Sequence, residues 1–116
     1  MRSQNWFSTK IRMVCLIEPN GAQRYMDSVF VFQSEDFDVA FRRALDVGRG
    51  QEKEYLNADG KRVKWRLKEI ISLDILEVES LDGVEGYSEP VNLNDTEAIP
   101  FDADLHPEAS RPTQTV

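Results

Sequence analysis

Around Asn57-Ala58-Asp59-Gly60 the chain has few ways to fold. These residues suit a type I turn that ends on a glycine at positive φ, the arrangement that closes a β-hairpin with a bulge. Setting Asn57 opposite Lys61 brings Tyr55 against Val63 and Lys53 against Trp65 on one face. On the other face Glu54 meets Lys64 and Glu52 meets Arg66, so opposite charges face one another across the strands. Val63, Trp65, Leu67, Ile71, Leu73 and Ile75 share the parity that points to a core, and Glu69 is the one acid in that series. A bulge near Glu69 would turn it outward.

Upstream, Phe7, Thr9, Ile11, Met13, Cys15 and Ile17 alternate with Ser8, Lys10 and Arg12, the period-2 pattern of a half-buried strand. Pro19-Asn20-Gly21 supplies turn chemistry, and a run rich in Val and Phe from Tyr25 to Phe32 makes the return strand of a hairpin. Next comes a helix, with Ser34 as N-cap, acids at Glu35, Asp36 and Asp38 beside its positive end, and Gly48 as terminator. Phe37, Ala40, Phe41, Ala44 and Leu45 recur at helical spacing and give it one apolar face to lay on the sheet. After a turn at Asp82-Gly83, Val84 to Val91 adds a short edge strand.

The expected fold is therefore α+β: an antiparallel sheet of four to five strands with one helix on a face, in the order β-β-α-β-β with a further short strand. Residues 1–91 form a single domain. Residues 92–116 carry one aromatic, Phe101, with three prolines and five acids, too little apolar matter to offset the entropy of ordering, so they read as a disordered acidic tail. Charge follows the same division: residues 1–72 hold 13 lysines and arginines against 10 acids, and residues 73–116 hold one against 11. That split weighs against the whole chain being a polyanion binder, and it permits the tail to lie over a basic face.

The opening Trp6-Phe7-Ser8-Thr9-Lys10, the Asn57-Ala58-Asp59-Gly60 turn and the Val63-Lys64-Trp65-Arg66 run leading to Glu69 together resemble a bacterial family known as domain of unknown function 4288. The resemblance covers about Trp6 to Tyr87. It implies this order of elements and a bacterial origin, and carries no catalytic residue with it.

The chemistry on offer is sparse. One histidine, His106, falls in the tail and one cysteine, Cys15, falls mid-strand, so neither a metal site nor a Ser-His or Cys-His nucleophile is expected. No glycine-rich phosphate loop is present, no cofactor is implied, and the chain is read as non-enzymatic. No apolar run is long enough for a membrane helix or a signal peptide, which makes the cytoplasm the default compartment.

Two groups of side chains carry binding hypotheses. Trp6, Lys10, Tyr55, Trp65 and Glu69 would form a ligand or nucleotide pocket if the first and fourth strands are neighbours. Arg62, Lys64, Arg66 and Lys68 project from one face of a straight strand, and such a stripe can follow nucleic-acid phosphates. A solvated face neutralised by Glu52 and Glu54 explains the stripe better. The favoured function is a protein-interaction module, engaging a partner protein or a second copy through a sheet edge.

Overall fold

The computed structural model of the chain describes residues 4–76, 88–91 and 98–113. Strands β1 (Asn5–Ile17) and β2 (Gly21–Ser34) form the first hairpin. Helix α1 (Phe37–Gly50) follows, then the second hairpin, β3 (Lys53–Leu56) and β4 (Arg62–Leu76), and the edge strand β5 (Ser88–Val91). All pair antiparallel in one sheet of order β3-β4-β1-β2-β5. This is the expected α+β architecture, with the two hairpins joined along the long strands β1 and β4.

The second hairpin has the register derived from its turn: Lys53, Glu54 and Tyr55 lie opposite Trp65, Lys64 and Val63. Gly60 adopts φ +77°, and the Asn57 amide donates to the Lys61 carbonyl at 2.9 Å. The first hairpin is tighter than the sequence suggests, because β2 begins at Gly21 rather than Tyr25. Gly21 sits at φ +89°, a conformation that a residue with a Cβ resists.

One face of the sheet buries Phe7, Ile11, Met13, Phe32, Trp65 and Leu67 beneath Ala40, Ala44 and Leu45 of α1. Phe37 packs edge-on against Phe7, with ring centroids 5.1 Å apart. The core parity of β4 breaks twice, where its pairing with β1 shifts between Lys10 and Ile11 and again between Arg12 and Met13. The shift between Arg12 and Met13 buries Ile70 instead of the expected Ile71, and the shift between Lys10 and Ile11 returns Leu73 to the core. Glu69 is thereby turned out opposite Arg12, its side chain 38% exposed. The bulge relieves the cost of burying a carboxylate in an apolar core.

The helix cap also differs from expectation. Asp36 caps the helix, its carboxylate accepting from the Val39 amide at 2.9 Å, while Ser34 remains the last residue of β2. Gly48 lies within the helix instead of ending it, and a side chain there would collide with Leu67. Its role is close packing.

The largest correction concerns the acidic tail. Residues 98–113 are seated on the sheet face opposite the helix and along its β4 edge, so a disordered tail from 92 onward is not what the structure contains over this stretch; residues 92–97 and 114–116 lie outside the described residues. Phe101 supplies the reason: it joins Val14, Leu16 and Tyr25 in a second core, with Ile99 and Leu105 packed against it. A low average hydropathy conceals a few apolar side chains at the right spacing to fill one groove. The expected turn at Asp82-Gly83 and the first part of the edge strand, residues 84–87, also fall outside the described residues.

Candidate functional site

Trp65 and Tyr55 meet across the second hairpin, the indole Nε1–H donating to the Tyr55 hydroxyl at 3.2 Å. The Arg24 guanidinium reaches from β2 across β1 and lies 5.4 Å from the Trp65 ring centroid. Trp65 also helps to line a concavity of about 170 Å³ with Met13, Met26, Ser28, Gln51 and Lys53, where the helix ends over the sheet. Two thioethers and an indole make an adaptable apolar wall, and Gln51, Lys53 and Ser28 place polar groups on its rim.

The other members of the proposed pocket lie elsewhere. β1 and β4 are neighbours as the hypothesis required, yet Trp65 pairs with Cys15, nine residues along β1 from Trp6, or roughly 30 Å at the rise of a strand. Lys10 lies opposite Ser72, and Glu69 opposite Arg12. Tyr55 and Trp65 thus come together, while Trp6, Lys10 and Glu69 do not join them. One sequence carries no register between strands separated by some fifty residues, so this separation had no signal to find. Met13, Met26, Gln51 and Lys53 were missed for the same reason.

The basic stripe is real as a row, and each member has an acidic neighbour. Glu54 binds Arg62, a contact that also holds the guanidinium pKa above its ordinary value. Glu52 accepts from Arg66 Nε at 3.0 Å and from the Leu67 amide at 3.0 Å. Lys68 meets Glu69 at 3.3 Å. Lys64 takes a different partner: its Nζ stands 4.1 Å from the centroid of the Phe101 ring and 4.0 Å from the Asp102 carboxylate. The acidic segment lies over part of the basic face, which lowers the potential available to a phosphate backbone.

The β3 side of the sheet is closed unevenly. Along β4 the Leu67 amide is capped by Glu52 and the Ile70 amide by Ser110 Oγ. Thr113 donates to the Ile71 carbonyl and accepts from the Leu73 amide, extending the edge in parallel. β3 itself remains open, with all four residues exposed, and Tyr55 and Leu56, 43% and 66% exposed, are the large apolar side chains on the surface of the described residues. Tyr55 pairs with Val63 in the ladder that begins at Asn57 and Lys61, so the alternation of bonds turns the main-chain groups of Glu54 and Leu56 toward solvent.

Among the described residues no cluster of three or more His, Cys, Asp or Glu side chains is placed to hold a metal ion, and no helix is long and apolar enough to cross a membrane. Cys15 is 2% exposed, and burial pushes its thiol pKa up, with Arg24 opposing in part.

No curated protein and no solved structure matches the chain. A family model does, over residues 6–88, which span both hairpins, the helix and the start of β5. With most of its folded core inside that match, the chain belongs to the family described as Domain of unknown function (DUF4288).

Proposed function

We propose that this protein is a non-enzymatic interaction module that receives an extended segment of a partner protein at the open edge of β3. The observation that carries this reading is the contrast along one side of the sheet: the β4 edge is capped by Glu52, Ser110 and Thr113, whereas β3 turns main-chain groups outward that meet no partner among the described residues, flanked by Tyr55 and Leu56. An added strand would gain main-chain hydrogen bonds from Glu54 and Leu56, with the two exposed apolar side chains giving it a grip on either face.

The test is a Leu56→Pro variant of the full chain. Proline removes the outward amide at an edge position that tolerates it, leaving the hairpin's own bonds in place. Affinity capture from a native lysate at two salt concentrations, followed by mass spectrometry, compares it with the parent protein. A partner that the parent retains at both salts and the variant loses supports the reading. Identical protein recoveries from the two would sink it.

A second reading, binding of a small apolar ligand, is favoured by the concavity beside Trp65. Quenching of Trp65 emission in a Trp6→Phe background by a member of a metabolite library, with no protein recovered in the capture experiment, would move the assignment there.

A further inference from the structure

Residues 98–105 read Ala-Ile-Pro-Phe-Asp-Ala-Asp-Leu and lie on the sheet face opposite the helix. Their seat has distinct parts. Phe101, 7% exposed, enters an apolar slot formed by Val14, Leu16 and Tyr25. Two cations bracket its ring, Lys64 at 4.1 Å and Arg62 at 5.5 Å from the centroid. Two residues before it, the Ile99 carbonyl accepts from the Ala22 amide at 2.8 Å. One residue after it, the Asp102 carboxylate lies 4.0 Å from Lys64 Nζ while remaining 93% exposed. Gly21 makes room for the main chain, since a Cβ there would stand 2.2 Å from the Ile99 oxygen.

An apolar slot, a cationic bracket, a main-chain donor and a cation for an acid together form a recognition site for a short extended peptide. The side chains that build it lie within residues 14–64, inside the family match at 6–88, whereas the segment that fills it lies beyond that match. The site and its occupant are thus separable in the sequence.

We propose that this groove is a docking site for an extended protein segment of the pattern apolar-x-aromatic-acid, and that residues 98–105 occupy it in cis and hold it closed. Ile99, Phe101 and Asp102 are the resident example of the pattern. A tethered ligand acts at an effective concentration on the order of millimolar, so an external segment competes poorly until the tether is weakened. The groove lies on the opposite face from the Trp65 concavity and does not use the β3 main chain, so this inference stands apart from the function proposed above.

The probe is a fluorescein-labelled peptide with the sequence of residues 98–105, titrated by anisotropy against the full-length protein and its Phe101→Ala and Asp102→Lys variants. Phe101→Ala empties the slot and is expected to bind the peptide at least about tenfold more tightly than the parent, as loss of the competing tether implies. Lys64→Ala in the same background, or a peptide with alanine in place of its phenylalanine, should lose that gain. Leu56→Pro should leave it unchanged, which separates this site from the β3 edge. Asp102→Lys changes an exposed residue and serves if Phe101→Ala fails to fold; a gain of a few-fold over the parent is expected. A folded Phe101→Ala protein that binds the peptide no better than the parent overturns the proposal, as does an Asp102→Lys protein with no gain where Phe101→Ala is unfolded. A parent dimer in sedimentation that Phe101→Ala converts to monomer would assign the groove to a second copy and overturn it too.

Discussion

Arg12 grips Asp27 across the first hairpin in a two-pronged contact, Nε to one carboxylate oxygen and Nη2 to the other, each at 2.8 Å. The two residues are direct register partners of β1 and β2, and the Asp27 side chain is only 4% exposed. The Arg12 guanidinium also lies 4.9 Å from the Tyr25 ring centroid, so the charge that pairs Asp27 roofs the second core.

Asp27→Ala should therefore destabilise the protein by about 3 kcal/mol, the low end for breaking a buried ion pair, since Arg12 retains some access to water. Urea denaturation measures this. Replacing both residues with apolar ones, Arg12→Met with Asp27→Leu, should recover most of the loss because no uncompensated charge is left behind. A double variant as unstable as the single one would contradict this account.

Two glycines of α1 should respond in opposite directions to the same change. At Gly48 an added Cβ would come within 2.7 Å of both Leu67 methyls, and Leu67 is 1% exposed with little room to move. The packing strain, on the order of 1–3 kcal/mol, outweighs the helix-propensity gain of about 1 kcal/mol, so Gly48→Ala should lower stability. Nothing lies within 4 Å of a Cβ at Gly50. Gly50→Ala should raise stability by roughly 0.5 kcal/mol. Thermal melts of the two variants decide the matter.

Glu52 holds Arg66 and the Leu67 amide with the same carboxylate oxygen. Glu52→Ala leaves the amide without its acceptor and should cost about 1.5 kcal/mol, while Glu52→Gln keeps an acceptor and should cost about half as much. Amide exchange at Leu67 is the direct readout: it should accelerate in the alanine variant and remain near the parent rate in the glutamine one.

Cys15 gives the stability a dependence on alkaline pH. Burial raises its folded-state pKa, so the unfolded chain releases the thiol proton first as pH rises. Its stabilising contribution is complete below the unfolded thiol pKa, about 8.5, and is lost as pH climbs toward the higher folded value. Cys15→Ala should flatten the stability profile above that point, even though it costs packing at every pH. A thiol reagent should label the native protein only as fast as it opens, and rapid labelling of the folded chain would show that the burial argument fails.

How much of this was legible in the chain follows from the range of each interaction. The second hairpin was readable because its turn and its charge pairs are local: Asn57 to Gly60 sets the register, and Glu52 and Glu54 lie close in sequence to the cations they meet. The ion pairs differ in one detail, since Glu54 reaches diagonally to Arg62 and leaves Lys64 to Phe101 and Asp102. The helix was readable from its apolar spacing, although a competition between Ser34 and Asp36 for the cap needed the backbone to resolve.

By itself, then, the sequence determined the order of strands and helix, the second hairpin's register and the lopsided charge, all of which arise from neighbouring residues. Only the tertiary structure decided where distant parts meet. Two register shifts between β1 and β4 put Ile70 in the core and Glu69 outside it, and the register that sets Trp65 opposite Cys15 holds it apart from Trp6. Phe101 found its slot across the chain, because burying one ring and pairing one acid can stabilise a segment whose average composition predicts disorder. Composition averages over a segment, whereas a groove selects individual side chains, and that difference is why the acidic segment's position had to come from the fold.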